Sequence, residues 1–326
     1  MAVRVLNAMT PVQRAETSML TVSYYDVGTG PAVVLLHGFP YDIHAYADVA
    51  PMLAAAGFRV IVPYLRGCGA TRFRDATVPR TAEQAALASD IIDLVDCLDL
   101  PQAVLGGFDW GARAACAAAA LWPERCTGLV SAGGYVIHDL ERATIPAAPE
   151  RECALWYQYY LATERGRAGL TANRRELARL LWRQWSPLWR FSEAEFERTA
   201  AAFDNPDWVE VALHNYRHKL GAVPGDSRYA DLARQLQGMP RIEVPAVTLD
   251  GGAHGVVPAS DGSQWRAYFR CHLEHRVAAG AGHNIPQEQP RAFAEAVLAL
   301  TKPSSSLARV YAPQDILARY LRPAWL

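Results

Sequence analysis

The stretch Val104-Leu105-Gly106-Gly107-Phe108-Asp109-Trp110-Gly111-Ala112-Arg113 constrains this chain more than any other. An apolar run, Ala103 to Leu105, meets glycines, one acid and another glycine, then the alanine-rich Ala112 to Leu121. That order predicts a strand, a tight turn and a helix. The turn reads small-x-acid-x-small and has the form of a nucleophile elbow, in which strained backbone lifts one residue above the sheet. Small residues flank the acid because a Cβ would collide with the neighbouring strand or helix. A carboxylate needs no deprotonation to act as a nucleophile at neutral pH, and its attack at carbon gives an ester. The helix N-terminus beneath it favours the anion. A plain helix cap would also explain Asp109, so the motif has to be weighed with the rest of the chain.

The remaining sequence alternates strand and helix. Leu20–Val27 alternates in hydropathy, Ala32–Leu36 is continuously apolar, and Arg59–Val62, Thr127–Ala132, Ala246–Leu249 and Glu274–Ala278 read as further strands. Helices are expected at Tyr46–Ala56, at Thr81–Cys97 with Thr81 as cap, from Asp261 to Phe269, and at Arg291–Leu300. The class is therefore α/β, with a mostly parallel sheet and helices on both faces. From about Asp139 to Gly238 the pattern is helical and aromatic with almost no strand signal. The expected organisation is core at 1–138, a helical cap at 139–240, and core again at 241–326. In the last part Thr301–Ser306 is a polar break, and Leu307–Leu326 is expected to form a short surface helix.

Composition narrows the function. About half of the 326 residues are hydrophobic, enough for a large core, and the net charge of −1 gives no basic face for nucleic acid or an anionic membrane. Only Lys219 and Lys302 are lysines, which reads as codon bias. Six scattered cysteines (Cys68, Cys97, Cys116, Cys126, Cys153, Cys271) form no Cys-x-x-Cys pair, so buried thiols in a reducing, cytoplasmic compartment are expected. No signal peptide or membrane-length apolar run is read. His214 and His218 are four apart but lack the other ligands of a zinc site, so no metal and no cofactor are expected. A homodimer is left open.

Four stretches taken in order resemble the α/β-hydrolase fold and, within it, the epoxide hydrolases: His37-Gly38-Phe39-Pro40, Arg66-Gly67-Cys68-Gly69, the aspartate elbow, and Gly280-Ala281-Gly282-His283. The resemblance covers about Val22 to Leu300. It implies Asp109 as nucleophile and His283 as the base that activates water against the ester. It implies an oxyanion hole from the amides of Phe39 and Trp110. It also implies two cap tyrosines, Tyr157 and Tyr216, that donate to the alkoxide of the opened ring. Tyr159 and Tyr160 are the fallbacks, and an aromatic core stripe is the plainer reading. His37, Trp156 and Tyr160 are expected to line the substrate, a small apolar epoxide or organohalide.

The chain departs from the family at one place. The acid that orients the histidine is expected after the seventh strand, where Leu249-Asp250-Gly251-Gly252-Ala253-His254 puts His254. A neutral imidazole can accept a hydrogen bond but supplies no negative charge for an imidazolium. Asp250 is therefore taken as the third member, with Asp261 and Asp139 as alternatives. Two rival functions remain: a dehalogenase using the same Asp and His, and a non-hydrolytic or ligand-binding relative. Haloalkane dehalogenases resemble His-Gly-Asn-Pro where Phe39 stands, and haloacid-type relatives carry an arginine where Trp110 stands, leaving only Arg113.

Overall fold

The computed structural model describes residues 8–271 and 273–300, so the expected tail helix and the polar break before it lie outside the described residues. Among the described residues nine strands form one sheet: β1 Val12–Glu16, β2 Leu20–Val27, β3 Ala32–Leu36, β4 Arg59–Pro63, β5 Arg72–Phe73, β6 Ala103–Phe108, β7 Cys126–Ala132, β8 Ala246–Gly251 and β9 Leu273–Ala278. Their order is β1-β2-β4-β3-β6-β7-β8-β9, with β5 paired to β2. The pairs from β4–β3 to β8–β9 are parallel, while β1, β4 and β5 meet β2 antiparallel. Every residue of β3, β6 and β8 is buried. That is the pattern of strands covered on both faces by crossover helices.

The helices before the insertion are α1 Val49–Ala55, α2 Gln84–Cys97 and α3 Trp110–Leu121. Those between β7 and β8 are α4 Pro149–Ala154, α5 Trp156–Ala162, α6 Glu164–Ala172, α7 Arg174–Trp185, α8 Glu193–Ala200, α9 Trp208–Lys219 and α10 Ala230–Gln237. Two close the described chain, α11 Ile285–Glu288 and α12 Pro290–Leu300. α1 packs on α12, and α2 packs on α3 and α10. Between β7 and β8 the described residues hold no strand. α10, though inside the stretch expected as cap, lies against the core helices α2 and α3. No described helix is long and apolar enough to cross a membrane.

Three expectations about elements change. The helix expected from Tyr46 splits into a 3-10 turn, Ile43–Tyr46, and α1. The helix expected from Thr81 begins at Gln84, because the Thr81 carbonyl accepts from the buried Arg66 guanidinium. The 261–269 stretch is a short 3-10 helix, Ser263–Tyr268. Of the six free thiols, Cys68, Cys116 and Cys126 are buried, whereas Cys97, Cys153 and Cys271 are exposed.

Candidate active site

The site is built from the ends of parallel strands. β6 runs into α3 through Asp109, whose φ of 52° and ψ of −122° put a non-glycine residue in a strained conformation. The strain persists because its neighbours leave no alternative. A Cβ on Gly111 would lie 2.0 Å from the Leu36 carbonyl oxygen, and one on Gly107 would lie 2.3 Å from the Gly111 carbonyl carbon. The small-x-acid-x-small pattern is thus a packing requirement of β6 and α3 against β3.

Asp109 Oδ1 accepts the Phe39 amide at 2.9 Å. Oδ2 faces His283 Nε2 at 3.6 Å, an ion-pair distance too long for a hydrogen bond. Burial pushes the carboxyl up, but His283, the Arg113 charge and the Phe39 amide outweigh it and hold the pKa at about 2. Asp109 is therefore anionic at neutral pH. The Phe39 ring stacks on Trp110 at 5.2 Å and on Trp208 at 5.3 Å, which fixes the loop that delivers its amide. Trp110 supplies the first amide of α3.

Tyr157 on α5 and Tyr216 on α9 are buried, with their rings edge to face at 5.6 Å. Tyr157 also packs on Trp185, and Tyr216 on Phe39 and Trp110. Burial raises Tyr157 to about 12, against a hydrogen bond from Gln158 and with the Asp109 charge adding to the rise. Tyr216 is raised well above the usual phenol range by burial, then by Tyr157 and Asp109. Both phenols keep their protons at neutral pH and can donate.

Other expected residues go elsewhere. His37 is buried with both ring nitrogens on backbone: Nε2 accepts from the Leu65 amide at 3.1 Å, and Nδ1 lies 2.9 Å from the Gly38 carbonyl. It braces the Phe39 loop and lines a pocket with Phe39, Trp110 and Trp208. Trp156 donates to Gln184, and Tyr160 packs over Gly169 of α6. Tyr159 is exposed and bonded to Glu152. The Arg66 motif is an anchor, with its guanidinium on Asp90, Thr81 and Ala86.

The assignment of Asp250 is corrected. Its carboxylate accepts from the Ser260 amide and hydroxyl at 2.8 and 2.9 Å, and His275 is the histidine beside it, at 3.7 Å. Asp261 binds Ser263, and Asp139 caps a 3-10 turn. The partner of His283 Nδ1 is His254 Nε2, at 2.9 Å. The turn after β8 carries His254 into that position, pinned by the Ala253 amide on the Ala281 carbonyl and the Gly255 amide on the Trp185 carbonyl.

Sequence reasoning also passed over Ser186, Glu288 and the cations. The His283 amide donates to Ser186 Oγ at 2.9 Å, and Ser186 donates to Glu288 at 2.6 Å. Glu288 further accepts the amides of Gly282 and Asn284 at 2.7 and 3.0 Å. An acid five residues after a loop histidine was the only available signal. The buried Nε and Nη1 of Arg113 have no hydrogen-bond partner among the described residues, and burial together with Arg113 brings Lys219 down to about 7. No group of three or more His, Cys, Asp or Glu suited to a metal occurs among the described residues.

Comparison with known proteins shows the family. The family model of the alpha/beta hydrolase fold matches residues 31–290. The chain belongs to the α/β-hydrolase fold family. A crystal structure of a candidate epoxide hydrolase from Klebsiella pneumoniae is 45% identical, with a TM-score of 0.88, covering 91% of this chain and 99% of that one. Epoxide hydrolase B of Mycobacterium tuberculosis is 35% identical over 153 residues, 42% of this chain and 41% of its own length. Bifunctional epoxide hydrolase 2 of Mus musculus is 33% identical over 115 residues, 34% of this chain and 20% of its own length. The chain thus matches less than half the length of these curated relatives.

Proposed function

We propose that the protein opens epoxides to vicinal diols through an ester on Asp109. The observation that carries this reading is a strained, anionic Asp109 with two buried, mutually packed phenols close enough to feel its charge. Asp109 Oδ2 attacks a ring carbon, the ring C–O bond breaks, and the alkoxide takes a proton from Tyr157 or Tyr216. Oδ1, already on the Phe39 amide, becomes the ester carbonyl oxygen. Water then adds to that carbonyl with the Phe39 and Trp110 amides bearing the developing charge. His283 Nε2, 3.6 Å from Asp109 Oδ2, takes the proton of that water whenever it presents a lone pair there. The relatives named as epoxide hydrolases support the same substrate class.

A second reading, halide displacement, draws on one observation. The buried indole N–H of Trp185 has no acceptor among the described residues, and such a donor suits a halide as well as an alkoxide. Diol and halide release over a panel of epoxides and haloalkanes separates the two. Asp109→Asn should abolish both adduct formation and turnover. The Tyr157→Phe and Tyr216→Phe changes should each slow epoxide opening roughly 10- to 1000-fold, as for loss of an oxyanion donor. Halide release that survives the double tyrosine change, with no diol from the parent, would transfer the assignment to the second reading.

A further inference from the structure

The pair His254–His283 contains more information than its 2.9 Å separation, because the other face of His254 is also occupied. His254 Nδ1 accepts the backbone amides of Val256 at 3.0 Å and Val257 at 3.2 Å. A ring nitrogen facing two N–H donors carries a lone pair, not a proton. His254 is neutral, held at about 3 by burial and by His283 beside it. Its single proton is therefore on Nε2, the atom that faces His283 Nδ1. A proton there makes His283 Nδ1 an acceptor, so neutral His283 carries its own proton on Nε2, toward Asp109.

This is the reverse of the arrangement hydrolysis uses. In an Asp-paired triad the carboxylate accepts Nδ1–H, leaves the Nε2 lone pair free to take a proton, and stabilises the imidazolium that results. Here an Nε2 lone pair on His283 would set two N–H groups against each other at 2.9 Å. The alternative, moving the His254 proton to Nδ1, would point it at two backbone donors. An imidazolium at His283 meets the same donor with an added positive charge. Asp250, the nearest acid in sequence, is committed to Ser260. Alkylation is not hindered, since the Nε2–H of His283 favours the anionic nucleophile.

We infer that His254 is a positioning residue that fixes His283 as its Nε2–H tautomer, so that the protein captures an epoxide as a long-lived Asp109 ester and releases diol slowly. This inference rests on Asp109 being the nucleophile. The capture step balances without a co-reactant: the Asp109 Oδ2–C bond forms, the ring C–O bond breaks, a tyrosine proton goes to the ring oxygen, and solvent restores it. The adduct has the full mass of the epoxide added.

The test combines intact-protein mass with histidine NMR. Parent protein mixed with styrene oxide, and separately with 1,2-epoxyhexane, should show a near-stoichiometric adduct that forms fast and decays at least about 100-fold more slowly. With 15N-labelled histidine, the His283 signals (assigned by their loss in His283→Gln) should show Nε2 protonated and Nδ1 not. In His254→Asp, and to a lesser degree in His254→Asn, an acceptor replaces the donor. Nδ1 of His283 should then become the protonated nitrogen, and the ratio of ester hydrolysis to alkylation should rise by about 100-fold or more for the acid. The parent NMR result stands even if a variant does not fold. An adduct in the parent that decays as fast as it forms, with His283 in the Nδ1–H form, would overturn the inference and leave the nucleophile standing. Diol produced by Asp109→Asn at the parent rate would instead remove the nucleophile, and the inference with it.

Discussion

At the scale of single residues the site is a set of opposed charge states. A carboxylate held at about 2 sits across from a phenol held at about 12, and a second phenol is held higher still. Attack needs the first deprotonated and one of the others protonated. Loss of rate on the acid side follows protonation of Asp109, so it comes as pH falls toward about 2. Loss on the alkaline side follows deprotonation of a tyrosine, so it comes as pH rises past about 12. Asp109 and the tyrosines by themselves leave the alkylation step flat to within about threefold between roughly pH 5 and pH 9, and Lys219, brought down to about 7 by burial beside the Asp109 charge, is the group that adds a limb inside that window. Rapid mixing with styrene oxide, read by adduct mass at a series of pH values, checks this. A limb near pH 7 that disappears in Lys219→Met belongs to Lys219, and a limb near pH 6 that persists in that variant would mean that a titrating histidine enters the first step.

At the scale of elements, α7 and α11 decide where the imidazole sits. Ser186, just past the end of α7, takes the His283 amide, and Glu288 at the end of α11 gathers that serine and two amides of the same loop. Glu288→Ala would leave three donors without their acceptor. It should cost about 3 kcal/mol in denaturant unfolding and slow ester hydrolysis more than alkylation, because Asp109 keeps its Phe39 contact. Equal losses in both steps would show that the loop supports the nucleophile as well. These contacts also mark what the sequence could and could not show. The buried parallel strands and the elbow were legible, because continuous apolar runs and Gly-x-Asp-x-Gly spacing are local. β1 and β5 were not: β1 is mostly exposed and β5 has two residues. His254 could be placed at the acid's position by counting. Its proton is set by the amides of Val256 and Val257 and by the fold of a turn, which no residue type announces. Glu288 and Ser186 are 102 residues apart and meet only through packing.

At the scale of the whole molecule, the helices between β7 and β8 are coupled to the oxyanion loop through Trp208 and Tyr216 on Phe39 and through the fully buried Trp182. Trp182 on α7 donates its indole N–H to the Pro40 carbonyl at 2.9 Å and stacks on Tyr41 at 4.8 Å, with Trp189 on its other contacts at 5.0 Å. Phe39, whose amide holds Asp109 Oδ1, is the residue before Pro40. Trp182→Ala removes both the ring and the donor, and should cost about 3–5 kcal/mol of stability. A purely structural loss of that size would leave the surviving folded protein fully active. The coupling predicts more: a loosened Pro40 lets the Phe39 amide drift, and alkylation per folded molecule should fall roughly tenfold, since small displacements at a reacting centre carry large rate penalties. Leu53→Ala is the control. It empties a fully buried site on α1, among contacts with α12 and β4, and should cost about 2–5 kcal/mol with no change in alkylation rate. Measuring both variants at a temperature where each is folded separates the two effects. If Trp182→Ala alkylates at the parent rate, Trp182 covers the site without setting its geometry.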